Sequence, residues 1–366
     1  MPATHRESHR ELLRRPGKGR PRAIDAIVVP AHRSAPHLDP AAQLATELGC
    51  RLLLMCDPDG VDPEDFAERA PPGLVWHAVT VPADYEHPVL PASALPRRDQ
   101  RDWRHGALAT KRNLAVLIAR LMRFTTIVLV DDDIIDLDPA AILRATEGLN
   151  ELRAVGLEVA QFPDNSVVCH ANRLSRTAHQ DVFIGACALV LDVSTRFGFF
   201  PHVYNEDWLF LFDNVADRLV GRIGVVGQEP YDPFADPARA RAEEFGDVIA
   251  EGLMSALRDR SAAGPPMDHA YWQDFLAARA AFIERAGARV PRDDPQIDVD
   301  KVIGALDAAV ERLAQIDAAM CVEFVRCWRA DLRLWHAHLA GLPAVTSFGA
   351  AMDYLDLGAT LADMIA

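Results

Sequence analysis

Lysine is almost missing: Lys18, Lys111 and Lys301 stand alone among 38 basic residues. With abundant alanine, arginine and proline, this is the signature of a GC-rich, bacterial genome and carries no chemistry. Cysteine is sparse as well. Cys50, Cys56, Cys169, Cys187, Cys321 and Cys327 are scattered along 366 residues, with no C-x-x-C pair. That usage argues against a disulfide scaffold and a zinc ribbon, and fits a reducing, cytoplasmic setting. No apolar run approaches the roughly 20 residues a membrane span requires. No apolar segment follows the basic N-terminus, so no secretory signal is expected. Net positive charge is missing too: 53 acidic residues against 38 basic ones give −15. A phosphate backbone calls for a basic surface, so nucleic acid is not the expected partner.

Half of the residues are hydrophobic, enough for one large domain or two modest ones. Charge is uneven along the chain. Residues 1–22 hold Arg6, Arg10, Arg14, Arg15, Lys18, Arg20 and Arg22 against Glu7 and Glu11. This basic tail is expected to be disordered and solvated, with contact to an anionic lipid surface as the other reading. Ala26-Ile27-Val28-Val29-Pro30 reads as a buried parallel strand. Pro40 to Gly49 reads as a helix, and Arg51 to Cys56 as the next strand, stopped by Asp57-Pro58-Asp59-Gly60. Strand, helix and strand at this spacing make a βαβ unit, and so an α/β fold with a mostly parallel sheet. Residues 61–103 read as loop apart from a strand at 75–81. A helix is expected over 111–124, a strand over 125–130, a helix over 140–152, and strands near 183–192 and 221–226. From about residue 239 the pattern turns helical. Apolar steps of three or four from Val302 to Leu339 predict a long amphipathic helix, broken once. Trp328 and Trp335, two turns apart on that helix, are expected to pack a core or a homodimer seam.

Three clusters carry chemistry. The first is Asp131-Asp132-Asp133, delivered by the apolar strand Ile127-Val128-Leu129-Val130. In open α/β sheets ligands sit at that strand end. Adjacent acids raise one another's pKa unless a cation intervenes, and hard carboxylates suit Mg²⁺ or Mn²⁺. Alternation along an extended chain would aim Asp131 and Asp133 to one side and Asp132 to the other. A P-loop ATPase would also end a strand in acids. Lys18, in Pro16-Gly17-Lys18-Gly19, lacks both the preceding strand and the following Ser/Thr. The second cluster is Lys111-Arg112-Asn113, read as opening a helix, where cations oppose the dipole unless they face a diphosphate or a base edge. The third is Tyr204-Asn205-Glu206-Asp207-Trp208. One of its acids can serve as a general base, while Asn205 or Asp207 can cap the helix that follows.

Taken in order, these pieces resemble the GT-A glycosyltransferases, most closely the inverting group typified by glycosyltransferase family 2. The matching residues are the strand ending Val29-Pro30, the strand before Asp57, Lys111-Arg112-Asn113, the D-x-D-like Asp131-Asp132-Asp133, Gly185-Ala186 and Glu206-Asp207. The resemblance implies a GT-A, Rossmann-like domain over 23–235, followed by a helical region over 236–366. It implies a nucleotide-diphosphate sugar donor, a hydroxyl acceptor of unknown class, and Mn²⁺ or Mg²⁺. It assigns Pro30, Asp57, Arg112, Asp131, Asp132 and Gly185 to the donor nucleotide, and Asp133 with Asp131 to the metal. Asp207 becomes the catalytic base and Glu206 its neighbour. A Q-x-x-R-W motif is missing, which disfavours processive synthesis. Retaining members supply a later histidine to the metal, and His269 is placed late enough to be one. Among the short polar runs, Asp164-Asn165-Ser166 with His170, Asn172 and Arg173 could face the acceptor, and Trp103-Arg104-His105 could hold a phosphate. Glu229-Pro230-Tyr231-Asp232-Pro233 reads as a rigid turn. A sugar nucleotidyltransferase is the nearest alternative, but the loop Ala31-His32-Arg33-Ser34-Ala35-Pro36 lacks the glycines such enzymes carry. An inactive relative used for binding or assembly is the other.

Overall fold

The computed structural model describes residues 5–6, 8–94, 106–160, 162, 165–174, 183–258, 268–357 and 364–365. In chain order the first half runs β1 (Ala26–Ala31), α1 (Asp39–Leu48), β2 (Arg51–Cys56), α2 (Pro63–Ala67), β3 (Val75–Thr80), α3 (Gly106–Leu121), β4 (Thr126–Val130), β5 (Ile134–Ile135) and α4 (Pro139–Gly148). The second half runs β6 (Ala154–Val159), α5 (Val167–Leu174), β7 (Ala188–Asp192), α6 (Glu206–Ala216), β8 (Val220–Gln228), α7 (Pro237–Arg258), α8 (His269–Ala288), α9 (Val299–Leu313), α10 (Ala318–Gly341), α11 (Phe348–Tyr354) and β9 (Met364–Ile365). The fold is α/β with a helical C-terminal region, as the sequence predicts.

The strands form one sheet in the order β5-β8-β6-β7-β4-β1-β2-β3-β9. β1, β2, β3 and β4 are parallel, and β7 runs antiparallel between β4 and β6. Alternate side chains of the central strands feed two cores. Val28 and Leu129 face one side with α3, α6 and the C-terminal helices, while Val29 and Val130 face the other with α1, α2 and α4. β1 pairs with β4 only as far as Val28. Pro30, which has no N–H to donate, lies two residues beyond that point, still paired to β2. The ladder therefore opens at the carboxyl ends of β1 and β4, where the chain direction across the sheet switches. That crevice is the place where open α/β sheets bind ligands.

Several expectations are corrected. Residues 8–22 are not a free tail. His9, Leu12 and Leu13 are buried, and Arg14 exchanges backbone hydrogen bonds with Val220 and Arg222 of β8. The tail's positive charge is answered by the acidic body: Arg10 pairs with Glu158, Arg22 with Asp192 at 2.6 Å, and Arg14 with Glu151 at 3.4 Å. Lys111-Arg112-Asn113 does not open a helix. α3 starts at Gly106, so these residues sit in its second turn, and all three are buried. The helical stretch from Val302 onward is broken once, as the sequence predicts: α9 and α10 part at residues 314–317, with Asp317 capping the second. Trp328 and Trp335 are wholly buried against Phe212 and Phe199 of the same chain. They pack this chain's own core. All six cysteines are free thiols. Among the described residues no helix is long and apolar enough to cross a membrane.

Candidate functional site

The site gathers at the open end of the sheet from four segments: the loop after β1, the second turn of α3, the acidic turn after β4, and the first turn of α6. The acids do not alternate as an extended chain would direct them. Beyond Val130 the chain turns, and the Ile134 amide bonds back to the Asp131 carbonyl at 3.1 Å. Asp131 accordingly faces α3 and α6, whereas Asp132 and Asp133 face the β1 loop. Asp132 Oδ2 accepts the backbone N–H groups of His32 and Arg33 at 2.7 and 2.8 Å. Asp133 Oδ2 accepts from Gln228 at 3.0 Å and from Arg33 at 3.4 Å. Arg33 also pairs with Glu229, so the turn after β8 forms one wall of the site.

Arg112 is the hub of the other half. Its Nη2 donates to both oxygens of Asp131 at 2.8 Å, and its Nη1 pairs with Glu206. Burial alone would lower its pKa, but Asp131 and Glu206 hold the guanidinium charged and raise it. Asp207 is fixed through its two oxygens by backbone donors: Ala186 N–H at 2.9 Å and Trp208 N–H at 2.8 Å. Burial raises the Asp207 carboxyl against the pull of Arg112 and those two amides. Glu206 is pushed up to about 8 by burial, again opposed by Arg112. Asp131, Glu206 and Asp207 thus share one guanidinium, leaving the cluster short of positive charge.

Gly185 has a steric reason to be glycine, since a Cβ there would stand 2.8 Å from Asp207 Oδ2. A cavity of about 110 Å³ lies among Arg112, Asp131, Gly185, Cys187, Asp207 and Trp208, with Asn165 and Arg239 also on its walls. Asp57 is engaged by Lys111 Nζ at 2.7 Å and by His32 Nδ1 at 3.1 Å. The amide of Asn113 is spent on both backbone groups of Phe200 at 2.8 Å. It braces α3 and is not offered to a base.

For a divalent cation the donors are carboxylates, the hard oxygens such ions prefer. Mg²⁺ commonly takes only one or two of them and completes its shell with water and substrate phosphates. Asp133 and Asp132 fit that small demand. Among the described residues no three His, Cys, Asp or Glu side chains converge as a metal site. His269 is the exposed first residue of α8. Asp131, Asp133 and His269 are not gathered.

Of the sequence-predicted residues, the structure brings Arg112, Asp131, Gly185, Glu206 and Asp207 around one cavity, with Asp132, Asp133 and Asp57 along the β1 loop. Asp164, Trp103, Arg104 and His105 lie outside the described residues. His170 bonds to the Tyr231 hydroxyl at 3.0 Å, and Arg239 stacks on the Tyr231 ring. Sequence reasoning missed Arg33, Gln228 and Arg239 as members of the site. Arg33 was visible only as a member of the loop after Pro30, without a role of its own; nothing local marks the other two.

No family model matches the chain, and no curated protein sequence matches it. Among solved structures it is similar to the M. tuberculosis glucosyl-3-phosphoglycerate synthase, with 16% identity and a TM-score of 0.38 over 74% of this chain and 82% of that one.

Proposed function

We propose that this chain is a glycosyltransferase that moves a sugar from a nucleotide-diphosphate sugar to an acceptor hydroxyl. One observation carries the reading: Asp207, pinned by two backbone amides, shares a cavity with Asp131 at the end of β4. In this reading Asp207 removes the proton of the acceptor hydroxyl. The hydroxyl oxygen bonds to the anomeric carbon from the face opposite the nucleotide, the bond to the diphosphate oxygen breaks, and configuration inverts. Burial of Asp207 supports the role, because a raised pKa brings a carboxylate closer to a working base at neutral pH. The pairs Lys111–Asp57 and Arg33–Asp132 at the β1 loop suit a nucleoside and its phosphates. Mn²⁺ or Mg²⁺ would be held by Asp133 with Asp132. When bound it would offset charge on the departing nucleoside diphosphate as a Lewis acid.

A thermal-shift panel tests the reading. UDP or GDP with Mn²⁺ should raise the melting temperature by several degrees, as binding to the native state alone requires. Asp133→Ala should abolish that rise. Asp207→Asn should keep the rise and lose transfer by about 100-fold or more. If no nucleoside diphosphate shifts the wild-type protein, the proposal falls.

A further inference from the structure

Asn205 adopts a left-handed backbone, φ 58° and ψ 35°, immediately before α6. An asparagine there normally turns its side chain onto the helix amides, yet Asn205 makes no such cap bond. Its Nδ2 donates instead to Asp247 Oδ1 of α7 at 2.7 Å. The other oxygen of Asp247 accepts from Arg279 of α8 at 2.8 Å. Arg279 is 0% exposed and grips Glu244 through two further bonds at 2.8 and 2.9 Å. Beside Asp247, α7 presses directly on the chain entering α6: a Cβ on Gly246 would stand 2.2 Å from the Tyr204 carbonyl oxygen.

We propose that Asp247, oriented by Arg279, is a positioning residue for the Glu206–Asp207 pair, so that the C-terminal helices set the geometry of the carboxylate assigned as base. Asp207 is held from the sheet by the Ala186 amide and from its own helix by the Trp208 amide. Neither bond fixes where α6 begins. The Asn205–Asp247 tie does, because it anchors the residue whose unusual backbone launches the helix. A buried carboxylate already paired with a buried guanidinium is a firm anchor, since neither partner can leave without exposing an unbalanced charge. The catalytic consequence rests on the transferase reading; the anchoring itself does not.

Asn205→Gly tests the tie. Glycine adopts the left-handed conformation freely, so the fold is kept while the link to Asp247 is cut. Asp247→Ala cuts it from the other side, and Asp247→Asn keeps it, its oxygen accepting from Arg279 while its Nδ2 donates to Asn205 Oδ1 once that amide flips. Amide hydrogen exchange over 206–209 should rise about tenfold or more in Asn205→Gly and Asp247→Ala. The melting temperature of Asn205→Gly should stay close to wild type. Release of UDP or GDP from UDP-glucose or GDP-mannose should show kcat down about tenfold with KM little changed, and Asp247→Asn should recover most of it. Unchanged exchange in both cutting variants overturns the proposal. So does a loss of turnover that merely tracks a fall in melting temperature, without recovery in Asp247→Asn. If neither sugar nucleotide binds the wild type, the transferase reading fails, and the exchange measurement alone still decides the role of Asp247.

Discussion

A methyl group at Gly185 would meet Asp207 Oδ2 at 2.8 Å. The carboxylate would have to leave the Ala186 amide to avoid it. Gly185→Ala is therefore expected to lower turnover by about 10- to 100-fold, the scale on which small misplacements of a catalytic group act. Nucleotide-induced stabilisation should survive, because Asp132, Asp133 and Asp57 lie on the other wall. A thermal shift lost together with turnover would show that Gly185 serves binding instead. The glycine was legible in the sequence only as part of an ordered set of short matches; its steric reason needed Asp207, 22 residues downstream in the chain and adjacent in space.

At the scale of elements, α6 carries two acids in its first turn, where the helix dipole favours negative charge. Burial is the stronger influence, and Glu206 is pushed up to about 8. Glu243 on α7 is pushed up to about 7 by burial as well. Between about pH 4.5 and 8 these two groups keep protons in the folded chain that they release in the unfolded one, so their contribution to stability falls as pH rises, while His5, lowered to about 3 by burial, works the other way below about pH 6.5. The melting temperature should decline from pH 6.5 to pH 8, where His5 no longer opposes the carboxyls, and Glu206→Gln should flatten part of the decline. A profile identical to wild type would place the proton elsewhere. The strands β1, β2 and β4 were legible as continuous apolar runs because both of their faces are buried. β6 was not, because Gly156 interrupts its apolar run. That glycine is there to let Ile184 pack across the strand, with a Cβ 2.7 Å from the Ile184 side chain if one were added. The start of α3 was missed because Gly106 to Thr110 hold a single large apolar residue, Leu108, and so show no apolar period. The placement of its cations in a buried second turn, facing Asp57, Asp131 and Glu206, follows only from tertiary contact.

At the scale of the whole molecule, the N-terminal segment ties the two halves together. His9 Nε2 meets Glu251 Oε2 of α7 at 2.7 Å, while Arg14 joins the edge of β8 and Arg22 reaches Asp192 of β7. Leu12 and Leu13 bury their side chains on the way. Deleting residues 1–22 should cost roughly 3–6 kcal/mol from those two leucines alone. The deletion should lower the melting temperature measurably at constant pH and salt; an unchanged value would mean that the segment is held only loosely. From sequence this segment read as disordered because its counter-charges Glu151, Glu158 and Asp192 lie more than a hundred residues away. The acidic net charge is the ground for expecting no nucleic-acid partner, and part of it is neutralised within the chain.

That closure has a temporal side. His9 and Glu251 are 242 residues apart in the chain. At roughly 5–20 residues per second of synthesis, His9 would wait about 12–50 s for its partner to emerge. Arg14 likewise has no strand to join until β8 is made. Docking of this segment is thus a late contact for a chain that folds during synthesis, formed only once β8 and α7 are available to receive it.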